Sequence, residues 1–169
     1  MLSTPYISNP RTRQGRESSA RSATAVTARA REKNQPVILV VEDDPSIRHF
    51  ICAVLKYATA WRILEAGDPY EALLAAHEIG RPIQLLVCDV DLSTSMDGPE
   101  LARALAQDHP AMKVLLMSAS DGPRCDTPAD WRFLSKPFPI AAFLECVRAL
   151  CDSPVPPDPL ATLKALFAA

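Results

Sequence analysis

Four short stretches of this 169-residue chain carry residue types suited to phosphoryl chemistry. They are Glu42-Asp43-Asp44, Asp89 with Asp91 two residues on, Ser118-Ala119-Ser120, and Lys136-Pro137. Carboxylates brought within a few ångströms repel one another unless a cation neutralises them. Hard oxygen ligands without His or Cys suit Mg²⁺, which completes its shell with water and phosphate oxygens. A lysine adds a point charge for a phosphoryl oxygen and a serine adds a hydroxyl donor. Glu42, Asp43, Asp89, Ser118 and Lys136 together describe phosphoryl transfer onto an aspartate. Each taken singly has a plainer role. Asp44 before Pro45 reads as a helix N-cap, a lone serine after a strand as a turn, and a lone Lys-Pro as a loop. The order in which they occur is what favours the chemical reading.

That chemistry requires elements that bring the stretches together. Val37–Val41 is a continuous β-branched apolar run, as expected of a strand covered on both faces. Ile83–Cys88 and Val114–Met117 repeat the pattern, and Trp61–Leu64 and Trp131–Leu134 are shorter candidates. Helical periodicity lies between them. Pro45 opens a stripe of Ile47, Phe50, Ile51, Val54 and Leu55. Pro69 opens a second through Tyr70, Leu73, Leu74 and His77, and Pro99 a third through Leu101, Ala104 and Leu105. Pro139 opens a last one through Ala142, Phe143, Cys146, Val147 and Leu150. Alternating strands and helices predict an α/β fold, a doubly wound five-stranded parallel sheet of order 2-1-3-4-5. In such a sheet ligands sit at the carboxyl ends of the strands where the order reverses, which is where all four stretches fall. The connection Asp121–Asp130 has two prolines, a glycine and almost no apolar stripe, so its helix is expected to be short or missing.

Composition narrows the classes. Hydrophobic residues are 48% and charged residues 22%, ordinary for a chain that buries a core. The net charge of −2 conceals an asymmetry. Residues 1–35 carry seven basic side chains against two acidic, and the remainder eleven against eighteen. An acidic body with a basic tail is no generic nucleic-acid binder. Residues 1–35, rich in Ser, Thr, Arg and Ala, are expected to be a disordered tail, and residues 36–152 the domain. Residues 153–169 are expected to be a proline-rich linker followed by a short helix or tail. No apolar run is long enough to cross a membrane and no secretory signal is visible. The five cysteines lack metal-ligand spacing, and Cys52, Cys88 and Cys146 sit in apolar runs, so reduced thiols in a cytoplasmic protein are expected.

Beyond these patterns, the chain resembles the response regulator receiver domain of two-component signalling, of the single-domain chemotaxis-regulator type. The matching stretches are Ile38–Arg48, Leu85–Asp89, Met96–Leu101, Val114–Ala119 and Phe133–Phe138. The resemblance implies that Asp89 is the phosphoacceptor, served by a histidine kinase or phosphotransfer protein. Glu42, Asp43 and Asp89 would hold Mg²⁺, with the backbone carbonyl of Asp91 as a further ligand. Lys136 would pair with the phosphoryl group across a cis peptide to Pro137, Ser118 would swing to a phosphoryl oxygen, and Phe133 would be the switch aromatic that follows it. Asp91 and Ser120 would flank the path of the water that hydrolyses the phosphoaspartate. Phosphorylation and dephosphorylation would be self-catalysed, so the protein would be a switch and not a true enzyme, signalling through an unidentified protein partner. Two departures stand out. The loop from Val90 to Met96 is one residue longer than usual and lacks the family's proline, and the interval from Ser118 to Lys136 is short.

Three rival readings differ in class. Leu85–Ser93 also resembles the first motif of haloacid dehalogenase-type phosphohydrolases, with Asp89 as nucleophile and Asp91 as acid/base. There, however, the acidic pair follows the lysine, and a cap domain selects the substrate. A receiver fold kept as a phosphorylation-independent binding module is opposed by the presence of the whole residue set. No DNA-binding domain is expected, because ten residues after the linker are too few for a helix-turn-helix.

Overall fold

The computed structural model describes residues 35–119 and 127–151. The expected tail up to residue 34, residues 120–126 of the loop (with Ser120 and Cys125) and the expected linker from residue 153 lie outside the described residues.

Among the described residues nine elements follow one another: β1 (Val37–Val41), α1 (Pro45–Ala58), β2 (Arg62–Ala66), α2 (Pro69–Ile79), β3 (Leu85–Asp89), α3 (Gly98–Asp108), β4 (Lys113–Ser118), β5 (Arg132–Ser135) and α4 (Ile140–Cys151). The strands form one parallel sheet of order β2-β1-β3-β4-β5, the expected doubly wound arrangement. Register is pinned by pairs such as Ile38 with Leu85 and Val41 with Cys88. Among the described residues no helix lies between β4 and β5, where 127–131 form turns.

Side-chain alternation splits the core into two layers. Val37, Leu39, Val41, Leu86, Cys88, Val114 and Leu116 pack under α2 and α3, through Ala72, Ala76, Leu101, Ala102 and Leu105. Ile38, Val40, Leu85, Val87, Leu115 and Met117 pack under α1 and α4, through Ile51, Val54, Leu55, Phe143, Leu144 and Val147. Both faces are covered, which is why these strands read as unbroken apolar runs.

Three helices start alike. Asp44, Asp68 and Asp97 each accept hydrogen bonds from first-turn amides, and a proline sits at the first or second helical position. Asp97 and Glu100 complete a reciprocal capping box. The helical stripes needed correction in places. In α2 the buried residues are Pro69, Ala72 and Ala76, while Tyr70 and Leu74 are exposed. In α1, Ile47 and Phe50 are exposed. The small alanines of α2 face the sheet, Leu73 and Ile79 pack part-buried beside them, and Tyr70 and Leu74 point outward. Burial pushes the Cys52 thiol up to about 11 and the fully buried Cys88 thiol well above its usual value, consistent with the structural role expected of both.

Candidate functional site

The topology delivers the chemical residues to one end of the sheet. Glu42 and Asp43 follow β1, Asp89 and Ser118 are the last residues of β3 and β4, and Lys136 follows β5. Backbone bonds continue the ladder into the site. The Glu42 amide donates to the Ala66 carbonyl at 3.3 Å, Val90 to Met117 at 2.8 Å and Lys136 to Ser118 at 2.6 Å. These bonds place the two ends of the chemistry, 94 residues apart in sequence, on a common rigid edge.

Carboxylate oxygens of Glu42, Asp43 and Asp89 lie within 4.8 Å of one another. Lys136 Nζ donates to Glu42 Oε2 and to Asp89 Oδ2, each at 2.7 Å. Glu42 is 1% exposed and Asp89 7%, so the ammonium works in a partly dehydrated setting. Burial raises the Glu42 carboxyl above its ordinary value, and the Lys136 hydrogen bond only partly offsets it. For Lys136, burial works against the charge, but hydrogen bonds to Asp89 and Glu42 outweigh it and lift its pKa. Asp43 is less buried. Its Oδ2 accepts a hydrogen bond from the Ser93 hydroxyl, which holds the Asp43 carboxyl below the usual range.

The remaining residues singled out from the sequence are placed as follows. Ser118 is buried at the end of β4, beside Ser135 in register. Phe133 is half-buried against the core layer under α2 and α3, in register with Leu116. Asp91 is exposed and stands outside the carboxylate cluster, and its amide donates to Asp89 Oδ1 at 3.3 Å. The Lys136–Pro137 peptide is cis. Ser120 lies outside the described residues.

Three supporting residues escaped the sequence reading. Arg48, one turn into α1, donates from Nη1 to the Glu42 carbonyl at 2.5 Å and the Asp43 carbonyl at 3.4 Å, tying down the acidic turn. Its long side chain points back toward the helix N-terminus, and that direction was the available signal. A Cβ on Gly98 would stand 2.1 Å from the Asp89 carbonyl oxygen. The Gly98 amide donates to the Val90 carbonyl at 3.0 Å, so the backbone of α3 runs directly against the end of β3. A glycine directly after a helix cap was the signal. Ser93 had none, because its partner lies 50 residues away.

Three close carboxylates, all oxygen donors, fit a hard divalent cation such as Mg²⁺.

Comparison with known proteins agrees with this geometry. The family model for the response regulator receiver domain matches residues 38–148. The sensor kinase CckA of Brucella abortus is 32% identical over 119 residues, covering 68% of this chain and 12% of the kinase. The response regulator receiver protein CpdR of the same organism is 31% identical over 105 residues, covering 60% of this chain and 84% of CpdR. The chain therefore spans only a small part of the first relative and most of the second. Among solved structures, the chemotaxis protein CheY4 of Vibrio cholerae superposes with a TM-score of 0.59 at 22% identity, covering 69% of this chain and 98% of that one, a likeness of fold.

Proposed function

The chain belongs to the response regulator receiver domain family, and on that premise we propose that it is a phosphoryl-accepting switch in which Asp89 is the acceptor. The observation that carries the reading is the Lys136 ammonium bonded at 2.7 Å to both Glu42 and Asp89 beside a third carboxylate. In the proposed reaction a carboxylate oxygen of Asp89 attacks the phosphorus of a phosphohistidine on a histidine kinase or phosphotransfer protein. The new O–P bond forms as the P–N bond breaks, and the departing imidazole takes up a proton. Glu42, Asp43 and Asp89 would hold Mg²⁺, with the Asp91 carbonyl as a further ligand, and the ion supplies countercharge for the incoming phosphoryl group. Lys136 turns from the free carboxylate to a phosphoryl oxygen without leaving Asp89. Ser118, at the neighbouring strand end, donates its hydroxyl to another.

Signalling follows from a shift between two packings of one domain. Phe133 sits two residues before Ser135, the register partner of Ser118, and is only half-buried, so it can move inward when Ser118 turns to the phosphoryl group. Asp91 and Ser120 would flank the hydrolytic water, making dephosphorylation self-catalysed. Residues 36–152 would form a stand-alone receiver that contacts a protein output partner, a reading supported by the 84% coverage of CpdR. A cytoplasmic location belongs to the same proposal, supported by the free thiols of Cys52, Cys88, Cys146 and Cys151. Among the described residues no helix is long and apolar enough to cross a membrane.

Titration with beryllofluoride and Mg²⁺, followed by backbone amide shifts, tests the reading. A Mg²⁺-dependent change is expected in the unaltered protein and none in Asp89→Asn. No change in either would overturn phosphorylation and leave a binding module.

A further inference from the structure

The carboxylates of the acidic pocket are not held alike. Lys136 is bonded to Glu42 and Asp89, and both acids are buried. Asp43 is more exposed and hydrogen-bonds Ser93 instead. Repulsion from Glu42 and Asp89 acts to drive the Asp43 side chain outward into water, opposed within the turn by backbone hydrogen bonds from Asp43 and Asp44 and across the pocket by Ser93. From the opposing loop, the Ser93 hydroxyl donates to Asp43 Oδ2 and holds the side chain in the cluster.

The loop that presents Ser93 is itself constrained. Leu92 is buried and Met96 packs against the core layer beneath α2 and α3. The Thr94 amide donates to the Leu92 carbonyl at 2.7 Å, and the Thr94 hydroxyl donates to the Met96 carbonyl at 3.0 Å. Val90 is fixed on one side by Met117 and on the other by Gly98. The hydroxyl therefore comes from an anchored loop and not from a free surface side chain. A carboxylate has about four lone-pair sites, so one hydroxyl donor leaves Asp43 ample capacity to bind a cation. The lengthened loop after Asp89 thus has a chemical consequence in the pocket.

We infer that Ser93 is a positioning residue for the metal site: its hydroxyl pre-orients Asp43 and thereby strengthens the binding of Mg²⁺. The inference rests on the reading of Glu42, Asp43 and Asp89 as a Mg²⁺ site. The hydroxyl lowers the ordering cost of ion binding because the ligand is already in place before the ion arrives.

The test is calorimetric titration of the full chain with MgCl₂ in the absence of any phosphoryl donor, on the unaltered protein, Ser93→Ala and Ser93→Thr. Ser93→Ala is expected to weaken Mg²⁺ binding roughly three- to tenfold, at or below the low end of what losing a ligand-orienting hydrogen bond costs. Ser93→Thr, which keeps the hydroxyl, is expected to restore most of it. Thermal melting of the three proteins without Mg²⁺ separates this from a folding defect, and little change is expected because Ser93 is exposed. Equal or tighter binding by Ser93→Ala overturns the inference, as does failure of Ser93→Thr to recover affinity. If the unaltered protein binds no Mg²⁺, the metal reading falls as well, so failure of the inference alone is distinguishable from failure of the site.

Discussion

Glu42 is held in its charged form at a cost. It is 1% exposed and lies beside Asp89, and burial raises its carboxyl above 4.5, the ordinary value. A carboxyl whose folded pKa is raised contributes stability that is complete below the unfolded value and is lost as pH rises through the folded one. Glu42→Gln keeps an acceptor for Lys136 and removes the charge. It is therefore expected to be more stable than the unaltered protein at neutral pH, by about 1 kcal/mol, as relief of functional-site strain commonly is. The advantage should shrink as pH falls below 4.5, where Glu42 is neutral in both folded and unfolded chains. Denaturant melts of both proteins from pH 4 to 8 check this. A Gln variant less stable at neutral pH would show that the ion pair with Lys136 outweighs burial.

At the scale of elements, the junction between β3 and α3 bears most directly on the site. Asp97 caps α3, Glu100 closes the capping box, and Gly98 lets the first turn lie against the Asp89 carbonyl. Gly98→Ala must move backbone, because the atom in the way of its Cβ is the Asp89 carbonyl oxygen at 2.1 Å. A loss of about 1–3 kcal/mol is expected, typical of overpacking against an unyielding neighbour. Asp97→Ala removes a cap and should lose about 1 kcal/mol. The two differ in a second readout. Gly98→Ala is expected to shift the amide resonances of Val87–Val90 strongly, and Asp97→Ala to leave them nearly in place. Matching spectra for the two variants would show that Gly98 does not bear on β3.

Across the whole molecule, β3 is the keystone: it pairs with β1 and β4, ends in Asp89 and feeds both core layers. Leu86 is fully buried in the layer under α2 and α3. Leu86→Ala is expected to lower stability by about 2–5 kcal/mol, the range for truncating a core leucine. It should do so in one cooperative transition, since the two layers share the sheet. At temperatures where the variant stays folded its Mg²⁺ affinity should match that of the unaltered protein, because Leu86 lies three residues before Asp89. Urea melts and Mg²⁺ titration of the same sample check both. A biphasic melt would mean that the layers unfold separately.

Much of this could be read in the chain itself. Apolar runs such as Val37–Val41 declare a strand buried on both faces, and Asp-Pro pairs at Asp44-Pro45 and Asp68-Pro69 declare helix starts, because those signals depend only on neighbours a few residues away. The acidic end of the sheet followed once the strand order was deduced, since every chemical residue sits at a strand's carboxyl end. Helix faces were less legible. The buried alanines of α2 carry little hydrophobic signal, so Tyr70 and Leu74 read as core and prove exposed. What only the tertiary structure decided are contacts between distant segments: Lys136 on Glu42 and Asp89, Ser93 on Asp43, and Gly98 against the Asp89 carbonyl. Local sequence patterns follow from backbone geometry over one or two turns. A hydrogen bond spanning 50 residues depends on how the whole sheet brings two loops together, and no short stretch of sequence encodes that distance.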